Sequence, residues 1–177
     1  MDNGGNKLKA SEFIGMRVLD KEAHEVGKVA ELAIELKKCL VEYIFISTGG
    51  ALNKKYFAIL VDDIAEIGDF VELRLSKVGV KGKVHLNRIK DFEYKGSLFK
   101  DIVGKVAVAQ KGMEVGKIAD MYIDPEGCLI HNVVISTGGT FGKKYLMISD
   151  VDIQDIGDYV ILKLTKEEVN NRIENKS

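Results

Sequence analysis

Short runs of apolar residues, interrupted every few positions by glycine or by charge, set the rhythm of this chain. Val26 to Leu36 alternates over part of its length, and Leu40 to Ser47 is rich in β-branched and aromatic residues. Lys55 to Val61 and Asp69 to Leu75 follow with glycines between them, so the pattern predicts short strands rather than helices. Gly15 and Gly27 stand where turns or bulges need a residue without a Cβ. Four or five short twisted strands are too few for a sandwich, and a small closed barrel is the economical way to bury them and remove their edges.

The pattern then repeats. Ser-Thr-Gly-Gly occurs at 47–50 and again at 136–139, an offset of 89 residues. At that offset Gly15 meets Gly104, and Glu25-Val26-Gly27-Lys28 meets Glu114-Val115-Gly116-Lys117. Cys39-Leu40 meets Cys128-Leu129, Lys54-Lys55-Tyr56 meets Lys143-Lys144-Tyr145, and Ile67-Gly68-Asp69 meets Ile156-Gly157-Asp158. Between 13–75 and 102–164, 26 of 63 positions are identical, which identifies a tandem duplication. The expected organisation is a disordered N-terminus at 1–7, a first barrel at 8–78, a linker at 79–96, a second barrel at 97–165 and a short helix and tail at 166–177. Thr165 and Glu168 have the spacing of a capping box, and Val169 and Ile173 lie one helical turn apart, so that helix is amphipathic and packs on a barrel or on a partner.

Charge separates the parts. The formal net charge is −1, but residues 8–78 carry 10 basic and 12 acidic side chains, 79–98 carry 5 and 2, and 99–165 carry 7 and 9. Two mildly acidic barrels flank a basic connector, which gives no field directed at DNA. The stretch MDNGGNKLKASEF contains neither an apolar core nor an Arg-rich amphipathic segment, and no apolar run approaches the ~18–20 residues that cross a bilayer. A cytoplasmic chain without direct membrane insertion is expected, with Cys39 and Cys128 reduced and structural.

The ordered set F-I-G-M-R-V-L-D (13–20), E-V-G-K-V-A-E-L (25–32), Y-I-F-I-S-T-G-G (43–50), K-Y-F-A-I-L-V-D-D-I (55–64) and I-G-D-F-V-E-L (67–73) resembles the PRC-barrel family. The second copy resembles it equally through D-I-V-G-K-V (101–106), E-V-G-K-I-A-D-M-Y-I-D (114–124) and K-Y-L-M-I-S-D-V-D-I (144–153). The resemblance implies an all-β fold of two tandem SH3-like barrels with a short C-terminal helix, no catalytic residues and no cofactor. Two barrels and little else most resemble the archaeal cell-division proteins of the CdpB type. That resemblance implies a scaffold whose partners are itself or a paralogous PRC-barrel protein and a SepF-like division protein, recruited to the membrane-associated division site through a partner. The alternative it offers is an RNA or ribosome-assembly factor similar to RimM.

Residue types that could carry chemistry have ordinary readings. Gly138-x₃-Gly142-Lys143 misses the P-loop spacing, and Asn53 replaces Gly142 in the first copy, so the Gly-Gly-Lys-Lys stretches read as hairpin turns. Asp150, Asp152, Asp155 and Asp158 place Asp155 where a calcium loop needs glycine, and they read as a solvated turn. His24, His85 and His131 are not repeated and have no metal-ligand spacing. Lys81, Lys83, Arg88 and Lys90 interleave with Phe92 and Tyr94, the composition of a weak RNA patch, but a solvated linker is the simpler reading. The candidate interaction residues are Leu52 and Phe141, apolar at predicted hairpin tips, with Lys54, Lys55, Lys143 and Lys144 beside them and Val169 and Ile173 on the terminal helix.

Overall fold

The computed structural model describes residues 7–138 and 142–174. Apart from Lys7, the expected N-terminal disorder lies outside the described residues, as does Phe141. Strand β1 (Leu8–Lys9) leads into the one-turn helix α1 (Ala10–Phe13), then β2 (Arg17–Leu19), the long β3 (Glu25–Glu35), β4 (Leu40–Thr48), β5 (Lys55–Ile59), β6 (Ile64–Ile67) and β7 (Val71–Leu73). Helix α2 (Lys77–Lys81) opens the connector. The second copy runs β8 (Ser97–Leu98), α3 (Phe99–Ile102), β9 (Val106–Ala109), β10 (Met113–Ile123), β11 (Ile130–Thr137), β12 (Lys144–Ile148), β13 (Ile153–Ile156), β14 (Val160–Leu162) and α4 (Lys166–Glu174).

Each copy builds one sheet, in the order β5-β4-β3-β2-β7-β6 and β12-β11-β10-β9-β14-β13. β2 and β7, like β9 and β14, pair in parallel, and the other neighbours on these paths are antiparallel. The chain bends sharply at the long strands because backbone crosses backbone there. A Cβ on Gly27 would lie 2.0 Å from the Ser47 carbonyl oxygen, and one on Gly116 would lie 2.1 Å from that of Ser136. Register shifts between Val29 and Glu31, and between Ile118 and Asp120, add a bulge to each long strand. The fold is two small SH3-like barrels, but each hydrogen-bonded path ends at a strand, β5 or β12 on one side, so closure does not remove every edge.

The leading segment of each copy belongs to the other barrel. Leu8 and Lys9 pair with Ile123 and Tyr122 of β10, while Ser97 and Leu98 pair with Ile34 and Ala33 of β3, the same register displaced by 89 residues. Helix α1 packs on β10 and α3 on β3. Phe13 and its counterpart Ile102 are fully enclosed, with 0% and 1% exposure. The arrangement is a reciprocal exchange, so the sequence boundary at residue 8 cuts between spatial units: 8–13 sits on the second barrel.

A carboxylate from the bulge of each long strand holds the exchanged helix. Asp120 accepts from the Ser11 N–H at 3.2 Å and from the Ser11 hydroxyl. Glu31, 5% exposed, accepts from the N–H groups of Leu32 and Lys100, and Lys100 is the counterpart of Ser11. Burial raises the Glu31 carboxyl above its ordinary value, and those two N–H groups oppose the rise.

The barrels also meet strand to strand. Leu40 bridges Leu129 antiparallel, with Val41 N–H donating to the Cys128 carbonyl (3.1 Å) and Ile130 N–H to the Cys39 carbonyl (2.7 Å). These are equivalent positions of the two copies, so a local two-fold axis passes between the leucines. The apolar interior is correspondingly shared: Phe13, Leu32, Phe57, Met121, Ile135 and Leu162 belong to one buried cluster. Cys39 and Cys128, both free, adopt left-handed conformations at this contact, and burial pushes each thiol up to about 11.

Helix α4 is fastened by charge as well as by packing. Arg172 donates to both oxygens of Asp152 at 2.7 and 2.9 Å, repeating in stronger form the 3.3 Å Lys83–Asp63 contact of the first copy. Burial pushes the Asp152 carboxyl up, but Arg172 and the Ser149 N–H together outweigh that and hold it below the ordinary 3.8. Its contribution to stability is therefore complete above the ordinary carboxylate pKa and is lost as pH falls through the lowered folded value.

Two predictions follow from these contacts. Asp120→Ala should destabilise the chain by about 0.5–1.5 kcal/mol in denaturant titrations, because the exposed Ser11 donors turn to water and only the net worth of the bonds is lost, and amides of both barrels should lose protection together. Arg172→Met should cost about 1–3 kcal/mol at pH 7, since Arg172 is partly solvated. It should also move the acid unfolding limb, followed by circular dichroism, to higher pH.

Candidate protein-interaction site

The β4–β5 hairpin presents the feature singled out in the sequence. Gly49 has φ +86°, and a Cβ there would meet the Asn53 carbonyl oxygen at 2.4 Å, so glycine is required to close the turn. Asn53 N–H donates to the Gly50 carbonyl at 3.1 Å, which leaves Ala51 and Leu52 at the outer corner. Leu52 is 98% exposed and does not fold back over the barrel. Lys54 and Lys55 are exposed beside it, and the Lys55 ammonium donates to Asn87 Oδ1.

In the second hairpin Gly138 and Gly142 have φ +96° and +95°, and Lys143 and Lys144 are exposed. The terminal-helix residues require a correction. Val169 is 0% exposed and the partly buried Ile173 packs against the same core, so the apolar stripe of α4 caps its own barrel and Val169 is not open to a partner. The capping expectation at the start of that helix is met, with Glu168 N–H donating to Thr165 Oγ1 at 3.1 Å.

The connector also differs from the solvated linker read in the sequence. Ile89, Phe92 and Tyr94 pack on the outer face of the first barrel over Ala33, Phe45 and Leu98. Phe92 meets the rings of Tyr43 and Phe45 edge-on at 4.8 and 5.6 Å, and Tyr94 meets Phe45 at 6.0 Å. Rings held this way are not presented to nucleic-acid bases. Lys83 and Arg88 are engaged by Asp63 and Asp91. Just upstream of the rings, Leu86 pairs with Tyr56, the Tyr56 N–H donating to the Leu86 carbonyl at 2.8 Å and the Leu86 N–H returning the bond at 2.7 Å. The alternation Val84, Leu86 and then Phe92, Tyr94 was the available signal for this ordered path, but five basic residues masked it.

Side chains that could carry chemistry are engaged in structure. Asp152 binds Arg172, and Asp155 bridges to Lys37 of the first copy at 3.0 Å. The counterpart of the Lys37–Asp155 contact would oppose Glu126 to Glu66, and there a cleft of about 1040 Å³ remains, bordered by those glutamates, Arg74, Asp124 and His131. Asp20, Glu22 and His24 bring ligand atoms within 4.8 Å of one another, the one such group among the described residues, and could hold a cation. Asp20 is also the organiser of its own turn: Oδ1 accepts from the N–H groups of Glu22 and His24, both at 2.9 Å, and the His24 N–H chiefly holds this carboxyl below its ordinary value. The second copy has Ala109, Lys111 and Met113 at these places and cannot repeat the group. Among the described residues no helix is long and apolar enough to cross a membrane.

A model of the PRC-barrel domain matches residues 5–80 and matches again at 96–169. A search of curated proteins finds no match to the chain. The two matched segments coincide with the two copies separated by 89 residues and cover most of the sequence, so the chain belongs to the PRC-barrel domain family.

Proposed function

We propose that this chain is a non-enzymatic adaptor that joins proteins through its two barrels, associating with copies of itself or a paralogous PRC-barrel protein and with a SepF-like component of the archaeal division apparatus. PRC-barrel domains are commonly non-catalytic interaction modules. The observation that carries the reading for this chain is Leu52, a large apolar side chain exposed at a hairpin tip between glycines and lysines. Holding an apolar group in water has no folding benefit, whereas a partner that covers it gains its burial. The thiols reinforce the reading, because burial has raised both to about 11 and left little nucleophilic thiolate at neutral pH.

The division partner rests on the resemblance of a two-barrel chain to the CdpB-type proteins, which also accounts for recruitment to a membrane site through another protein. Repeated weak contacts along one rigid chain would sum through linkage into useful avidity. Leu52→Asp should weaken self-association or capture of a SepF-like protein by at least about tenfold in light scattering and pull-down, without changing the melting temperature. A chain that is strictly monomeric and also fails to capture such a protein would contradict the proposal.

A further inference from the structure

The duplication allows each surface of one barrel to be compared with the same surface of the other, and the outer edges differ. In the first barrel, β5 is covered by the connector through the Tyr56–Leu86 bridge, with the Lys55 ammonium on Asn87 and the His85 ring 5.3 Å from Phe57. In the second barrel the equivalent strand, β12, ends its sheet. Tyr145 pairs with Ser136 in the register that Tyr56 keeps with Ser47, so its N–H and C=O face outward in the same way. Among the described residues no backbone hydrogen bond reaches them from outside the sheet, and the Tyr145 side chain is 52% exposed. Helix α4, which takes the place in sequence of α2 and the start of the connector (77–85), packs on β12 through the core side of the barrel.

We propose that the β12 edge is a strand-addition site for an extended acidic segment of a partner protein, bound antiparallel as the connector is bound on β5. This deepens the adaptor reading and rests on it. The filled edge supplies the pattern: an apolar residue opposite the tyrosine, followed by a polar residue that reaches the lysine preceding that tyrosine. At β12 the corresponding lysine is Lys144, with Lys143 exposed beside it, and the connector that brings Asn87 to the first edge has no described counterpart. Two ammonium groups at the start of an open edge select a segment whose residues after the apolar position are carboxylates. Main-chain bonds would supply adhesion, and the lysines would set register and direction.

The test uses the full chain and a synthetic peptide of residues 83–88 carrying Asn87→Asp and Arg88→Glu, which places acids opposite Lys144 and Lys143. The chain's own tethered connector keeps the first edge occupied. In free, dilute protein the Tyr145 amide should exchange rapidly and the Tyr56 amide slowly; saturating peptide should slow Tyr145 by at least about tenfold and leave Tyr56 unchanged. Tyr145→Pro, which an edge strand tolerates at an outward N–H, should abolish peptide binding while Tyr56 stays protected, and Lys144→Glu should weaken binding about tenfold. Slow exchange at Tyr145 in the dilute free chain would mean the chain covers this edge itself, and protection that rises with protein concentration alone would mean a second copy covers it. Either result, or a peptide that does not protect Tyr145, overturns the proposal. If Leu52→Asp still disrupts association in those cases, the adaptor reading survives without the edge site.

Discussion

The exchange of residues 8–13 and 97–102 between barrels is the constraint on which the rest of the structure depends. Neither long strand is complete without a segment from the other copy: β3 needs Ser97 and Leu98, and β10 needs Leu8 and Lys9. Phe13 and Ile102 then carry apolar volume across the boundary, and Asp120 and Glu31 hold the ends of the exchanged helices. Separating the barrels would expose the apolar faces and break main-chain pairing at once. The two barrels are held to one another by this contact rather than by the connector.

Duplication normally makes two equal units, and here the inequalities are informative. The Lys37–Asp155 ion pair closes one flank of the junction, while Glu66 and Glu126 border a cleft on the other. The connector lies on the first barrel, its rings over Phe45 and its Leu86 on the edge of β5, and the second barrel ends instead in α4 with Val169 driven into the core. Asp20 and His24 pin a turn that the second copy forms from Ala109 and Met113. The duplicated barrels therefore present related but different faces.

Much of this was legible in the sequence. The offset of 89 residues, the strand pattern between glycines and the Thr165–Glu168 cap all correspond to what the chain forms. Leu52 was marked by being apolar where a turn favours polar residues, and it is exposed. The exchange was not legible, because Leu8 and Lys9 would show the same local pattern whichever barrel they joined. Val169 shows a similar gap: spacing reveals an apolar stripe but not what the stripe packs against, and its own barrel lay within reach. The connector's path over the first barrel was not legible because its basic residues dominate its composition, while the aromatic residues that decide its path are only two.

If the exchange unites the barrels, they must unfold together. Scanning calorimetry of the intact chain measures this directly, by comparing the heat absorbed with the enthalpy inferred from the sharpness of the transition. A single transition with a ratio close to one is the result this account predicts. Two transitions, or a ratio near two, would show barrels that melt independently and would contradict it.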